Sequence, residues 1–157
     1  MADKNDTLLS EYALENALPY LLNRAGVRIG DAFSSELTRF NVTLPMWRVL
    51  ASLLHEDGAR MTDLADHAST DVSTLSRLVA SLEKKGLVAR TPGEEDRRSV
   101  TVCLTPAGRD LGERIVPLAD LYERIALANI PPEEVTLLKR HLRQIYANIS
   151  SLGKQVP

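Results

Sequence analysis

The stretch that most limits what this chain can fold into is DVSTLSRLVASLEKKG, from Asp71 to Gly86. On a helix, where each residue turns by about 100°, Val72, Leu75, Leu78, Val79 and Leu82 fall on one side. Ser73, Thr74, Ser76, Arg77, Ala80, Ser81 and Lys84 spread over the other. Asp71 suits the N-cap, Lys84 and Lys85 suit the negative end of the helix dipole, and Gly86 suits the residue just past the end. The spacing therefore predicts a half-buried helix. Its open face carries short hydroxyls and one arginine where most exposed helices carry Glu and Lys. Short side chains allow close approach to another surface, and hydroxyls and Arg hydrogen-bond to phosphates and base edges. A helix that enters the major groove of DNA needs those properties. An ordinary amphipathic helix with some serines has them too, so the flanking sequence decides.

Upstream, Thr43 and Pro45 signal a helix start. Trp47, Leu50, Leu53 and Leu54 form its apolar stripe, and Asp57-Gly58 stops it. Arg60-Met61 reads as a very short strand. Thr62 then stands where a cap would open a short helix over TDLADHAS, with Leu64, Ala65 and Ala68 facing inward. Ser69-Thr70 is the turn into the serine-rich helix. Two short helices joined by a tight turn outline a helix-turn-helix. Downstream the period drops from 3.6 to 2. Leu87–Arg90 and Ser99–Leu104 read as strands, the second with Val100, Val102 and Leu104 on one face. Between them TPGEEDRR forms a charged loop, with Pro92-Gly93 turning the chain. Asp96, Arg97 and Arg98 sit near the tip of this hairpin. A narrow minor groove attracts an inserted Arg, and a neighbouring acid can orient it. A merely solvated tip is the plainer alternative, but the attachment to a hydroxyl-faced helix favours the DNA-probing one.

Both ends of the chain are helical by period. Thr7 to Ala17 reads as a short helix. Asn16 can cap a long one carrying Leu18, Leu21, Leu22, Ala25, Ile29, Ala32, Phe33, Leu37 and Phe40, which runs to about Arg39. Thr105-Pro106 opens another, through Leu111, Ile115, Leu118, Leu121, Ile125 and Leu127 to about Ala128, with Pro117 expected to kink it. Pro131-Pro132-Glu133-Glu134 starts the last, with Val135, Leu138, Leu142, Ile145, Tyr146 and Ile149 as its stripe. The fold class is thus mainly α with a small β-hairpin wing. Residues 44–104 form a winged helix-turn-helix module inside one domain covering 1–157, and 7–40 with 105–152 form a helical dimerisation region. A small winged module cannot cover all those stripes, so a second copy of the chain is expected to. A two-fold dimer also presents two helices to half-sites about one turn, ~10 bp, apart.

Composition narrows the function classes. The net charge is −2, so affinity for DNA must come from a local patch. Cys103 is the single cysteine, which excludes an intramolecular disulfide and leaves a packed or partly exposed small residue in the second wing strand. No apolar run approaches membrane-spanning length and the N-terminus lacks a signal h-region, which points to a soluble cytoplasmic protein without membrane contact. His55, His67 and His141 have no ligand spacing, so no metal is expected. No phosphate-cradling Gly loop and no nucleophile–base pair can be placed. A small enzyme is therefore a remote reading, with no catalytic residue and no cofactor to assign.

Residues 64–111, LADHASTDVSTLSRLVASLEKKGLVARTPGEEDRRSVTVCLTPAGRDL, resemble the MarR family of bacterial transcriptional regulators, and the resemblance extends from about Leu18 to Leu152. Residues 64–111 are its most specific part, combining the helix-turn-helix, the wing motif at Asp96, Arg97 and Arg98 and the junction Leu104-Thr105-Pro106-Ala107-Gly108, and the combination is far more specific than any one piece. The resemblance implies a winged-helix homodimer on pseudo-palindromic promoter DNA. It implies base or backbone contacts from Ser73, Thr74, Ser76 and Arg77, a minor-groove role for Arg98 oriented by Asp96, and a backbone contact from Arg97. It further implies a repressor released by a small aromatic or phenolic acid, or a CoA thioester of one. That effector would lie in a crevice near Tyr20, Arg24, Arg28, Phe33, Trp47, Leu50 and Leu111, with Arg24 or Arg28 pairing with a carboxylate or phosphate. A constitutive architectural DNA-binding protein without an effector is the alternative.

Overall fold

The computed structural model describes residues 13–92 and 100–152. The chain divides into two compact units, Met1–Asp120 and Leu121–Pro157. A 3-10 turn at Leu14–Asn16 leads into α1, Leu18–Leu37, and a second 3-10 turn, Thr38–Phe40, follows it. Of the short helix expected over Thr7–Ala17, the described part is that single turn. Ala17, not Asn16, occupies the N-cap and makes no side-chain cap bond. Pro19 in the first turn already removes one of the donors that a cap would serve. Asn41 ends the segment with φ +55°, a conformation that Asn tolerates better than most residues.

Helix α2, Leu44–His55, begins as the sequence predicts, with Thr43 Oγ1 accepting the Met46 N–H at 3.4 Å. Strand β1 is Ala59–Arg60 and α3 is Met61–His67. Here the expected cap is displaced, because Arg60 and not Thr62 precedes the helix. Arg60 is held extended by its pairing with Thr101 and the helix starts directly after it at Met61, two residues before a Thr62 cap would start it, so Thr62 falls within the first turn. The Thr62 hydroxyl bonds the Asp63 carboxylate instead, at 3.3 Å. Helix α4 is Val72–Lys84. Strands β2, Val88–Pro92, and β3, Val100–Leu104, form the hairpin, and the antiparallel sheet has the order β1-β3-β2. The ladder runs from Val88↔Leu104 to Pro92↔Val100. Pro92 therefore closes the ladder rather than turning the chain, a strand-end position where its missing N–H costs little.

Helix α5 is Pro106–Ala126 and runs through Pro117; α6 is Pro132–Leu152. One core joins the first unit. Leu37, Leu50, Leu53, Leu64, Leu75, Leu82, Val102 and Ile115 are fully buried, and Phe33 packs edge-on against Trp47 at 6.1 Å. Two polar joints fasten the elements around it. Asp57 accepts the N–H groups of Gly58 and Leu104 at 3.0 and 2.9 Å and pairs with Arg109 at 2.7 Å, tying the end of α2 to β3 and α5. Thr105 caps α5 by accepting the Gly108 N–H at 3.0 Å and donates to the Gly86 carbonyl at 2.6 Å. Gly108 is required at this joint, since a Cβ there would lie 1.9 Å from the Leu87 carbonyl oxygen. In α6 none of the described residues is buried, and Leu137, Leu138, Leu142, Tyr146, Ile149 and Leu152 are exposed.

Candidate nucleic-acid interface

The outer face of α4 is set by what its inner face buries. Leu75, Val79 and Leu82 are completely buried and Leu78 is half-buried, which fixes the rotation of the helix. Ser73, Thr74, Ser76 and Arg77 then stand together in solvent, as the sequence predicts. Val72 does not join the buried stripe. It is 48 % exposed, because it is the first residue of the helix and the core closes only from Leu75 onward. The open face therefore begins with a methyl-bearing side chain beside Ser73, which the periodicity alone assigns to the core.

The turn before α4 is shaped for this presentation. Ser69 adopts φ +51°, and Thr70 N–H bonds the Ala65 carbonyl at 3.0 Å, which closes the link between α3 and α4. Asp71 Oδ1 accepts the Thr74 N–H at 2.8 Å, and Oδ2 accepts the Thr74 hydroxyl at 2.7 Å. The Thr74 donor is thus committed to the cap. Its oxygen remains able to accept from a base amino group but not to donate to a phosphate.

The Thr74 hydroxyl, helped by the Thr74 N–H, holds the Asp71 carboxyl below its ordinary value of 3.8. The folded state thus binds this proton more weakly than the unfolded chain. Its contribution to stability is present above 3.8 and fades as pH falls through the lower folded value. Asn caps a helix as well as Asp but does not titrate. Asp71→Asn should flatten the acid limb of the stability profile between about pH 5 and 3, measured by urea unfolding across that range. An acid limb identical to the unsubstituted protein's would contradict the assignment.

Arg90, in β2, is a member of this region that the sequence gives no reason to single out. Its Nη2 donates to the Ser76 carbonyl at 3.1 Å, and its Nε lies 3.5 Å from Glu83 Oε2. The wing residues Asp96, Arg97 and Arg98 lie outside the described residues.

The residues expected near an effector are distributed as follows. Phe33, Trp47 and Leu50 are buried in the core and Leu111 is half-buried. Arg24 and Arg28 are exposed, and Arg24 donates to the Tyr20 hydroxyl at 3.4 Å and lies 5.9 Å over its ring. A separate open groove between α1 and α2 is lined by Leu22, Val27 and Leu44 together with Asp31 and Arg48. None of the seven expected residues lines it. Among the described residues no helix is long and apolar enough to cross a membrane.

A helix-turn-helix whose second helix stands open to solvent and leads into a three-stranded hairpin sheet is a winged-helix DNA-binding module. The chain belongs to the MarR family, whose sequence profile matches residues 42–100, and is a DNA-binding transcriptional regulator. The HTH-type transcriptional repressor Rv2887 of Mycobacterium tuberculosis is 30 % identical over 82 % of this chain and 92 % of its own. Among solved structures, CouR of Rhodococcus jostii RHA1 bound to p-coumaroyl-CoA is similar with a TM-score of 0.79 and 26 % identity, covering 86 % of this chain and 95 % of that one. Bordetella bronchiseptica BpsR, whose DNA binding is regulated by 6-hydroxynicotinic acid, is similar with a TM-score of 0.78 and 27 % identity, covering 86 % and 96 %.

Proposed function

We propose that the protein is a homodimeric repressor that holds a pseudo-palindromic operator and is released from it by a small aromatic or phenolic acid or its CoA thioester. The observation that carries this reading is the open face of α4, where Val72, Ser73, Ser76 and Arg77 stand in solvent on a helix locked from behind by Leu75, Val79 and Leu82. Hydroxyls and Arg meet base edges and phosphates, and an exposed Val meets thymine methyls. In this reading Arg98 of the wing enters the minor groove with Asp96 orienting it, and Arg97 touches the backbone.

The exposed apolar stripes support the dimer. On α1 they include Leu18, Leu21, Leu22 and Ile29, and on α6 Leu138, Leu142, Tyr146 and Ile149. Apolar helix faces left exposed in this way are surfaces that a second copy of the chain would cover. Two similar proteins, one bound to p-coumaroyl-CoA and one regulated by 6-hydroxynicotinic acid, support the effector class. In this chain Tyr20, Arg24, Arg28 and the α1–α2 groove with Arg48 offer aromatic and guanidinium partners to such an acid. In this reading Phe33, Trp47, Leu50 and Leu111 form the apolar side of the effector crevice; none of them lines the α1–α2 groove. A ligand shifts the DNA equilibrium only by its differential affinity for the bound and released states.

The test is a titration of an operator duplex, selected from random-sequence DNA by the protein itself, with and without p-coumaroyl-CoA and free phenolic acids. The expected outcome is weaker DNA binding at saturating ligand, together with a rise in melting temperature of the free protein. Ligand binding that leaves DNA affinity unchanged would rule out release. No response to any ligand would leave the constitutive architectural reading standing in its place.

A further inference from the structure

On the β2–β3 ladder Arg90 stands opposite Val102, which is fully buried. Opposed residues on an antiparallel pair share a face, so Arg90 leaves the strand on the side turned toward the helices. It meets α4 at two levels. Its Nη2 donates to the Ser76 carbonyl at 3.1 Å. At the other level, Glu83 Oε1 accepts the Arg90 backbone N–H at 3.2 Å while Oε2 lies 3.5 Å from Arg90 Nε. Ser76 and Glu83 are two helical turns apart on one side of α4. One strand residue thus grips the helix at both ends of that span, with both carboxylate oxygens engaged. A single contact would leave the strand free to pivot on the helix, whereas two contacts two turns apart fix the angle between them. The planar fork of a guanidinium suits this geometry in a way that an ammonium does not.

We infer that the Glu83–Arg90 clamp is a positioning device for DNA recognition: it sets the angle of the wing against α4, so that the hairpin reaches the narrow groove when α4 occupies the wide one. Arg90 acts through the wing and through α4 and does not itself touch DNA. The inference rests on the DNA-binding reading above and adds to it a sign that charge alone does not give. An acid on the DNA-facing helix repels phosphate, so on electrostatics its removal tightens binding. The clamp requires the opposite for a specific site, because a freed wing loses its place.

The experiment uses the full-length protein, a duplex selected from random-sequence DNA by the unsubstituted chain, and an unselected duplex as control, followed by fluorescence anisotropy. Glu83→Ala should weaken binding to the selected duplex by about tenfold, the size expected for coupled neighbours. Its binding to the unselected duplex at low salt should be unchanged or tighter. Arg90→Ala and the double variant should match Glu83→Ala, since each leaves at most one of the two contacts and one contact does not hold the angle. Arg90→Lys keeps the charge but not the fork and should lose affinity as well. Glu83→Ala binding the selected duplex as tightly as the unsubstituted protein, or more tightly, would overturn the inference. So would losses that add in the double variant, or Arg90→Lys behaving as the unsubstituted protein, either of which makes Arg90 a direct phosphate contact. If the unsubstituted chain selects no duplex at all, the DNA-binding reading fails first and the clamp with it.

Discussion

Gly108→Ala destabilises the protein by about 3 kcal/mol or more, a drop of roughly 6–12 °C in melting temperature for a chain of this size. The new Cβ would stand 1.9 Å from the Leu87 carbonyl oxygen and 2.8 Å from its carbon. Neither is the end of a flexible side chain, so the backbone itself must move. That backbone is the joint at which α5 meets the end of α4. Leu87 O accepts the Thr105 N–H at 3.1 Å, and Thr105 in turn bonds Gly86 and Gly108. Displacing Leu87 therefore disturbs three bonds at once. Two other glycines calibrate the effect. At Gly112 the Cβ meets the Leu54 side chain at 2.7 Å, which can rotate away, so Gly112→Ala should cost less. At Gly26 nothing lies within 4 Å, and Gly26→Ala in the middle of α1 should raise stability by about 0.5–1 kcal/mol. Thermal melts of the three variants check the order. A Gly108→Ala protein as stable as the Gly26→Ala protein would show that α5 does not dock on Leu87 as described.

The second large effect is on recognition. Arg77→Ala should cost about 1–3 kcal/mol of affinity for a selected duplex and relax preference at one base position. Arg77 is exposed on the open face of α4, one residue from Ser76, whose carbonyl the Arg90 clamp holds. A side chain reading a base loses sequence preference when truncated, whereas one that only neutralises a phosphate loses affinity evenly over all sequences and lowers the salt slope by about one. Selection of preferred duplexes by the Arg77→Ala protein separates the two. An unchanged preference would move Arg77 from base reading to backbone contact.

The parts of this protein legible in its sequence are those dictated by neighbours along the chain. Asp71 caps α4, Thr43 caps α2 and Thr105 caps α5, because a cap needs only a side-chain oxygen and an N–H three residues on. Gly86 ends α4 with φ +70° for the same local reason. Errors arise where a tertiary contact overrides the local signal. Thr62 has the chemistry of a cap, but strand pairing of Arg60 places the helix start elsewhere. Val72 has the spacing of a core residue, but the core does not extend to it. The joints at Asp57, Gly108 and Arg90 were illegible because their partners are distant along the chain or depend on sheet register. Asp57 meets Arg109 across 52 residues. Gly108 looks like an ordinary helix glycine until Leu87 is placed against it. The face on which Arg90 leaves β2 depends on its pairing with Val102. The open face of α4 lies between these cases: periodicity sorts its residues, and only the packing of Leu75, Val79 and Leu82 shows that none of the described residues covers them.

The central claim is that α4 occupies the major groove of DNA, and dimethyl sulfate footprinting on a selected duplex tests it most directly. The reagent methylates guanine N7, which lies in the major groove. The account predicts protection of guanine N7 in two clusters, about one helical turn, ~10 bp, apart. Guanines that stay fully reactive along a duplex saturated with protein would contradict it.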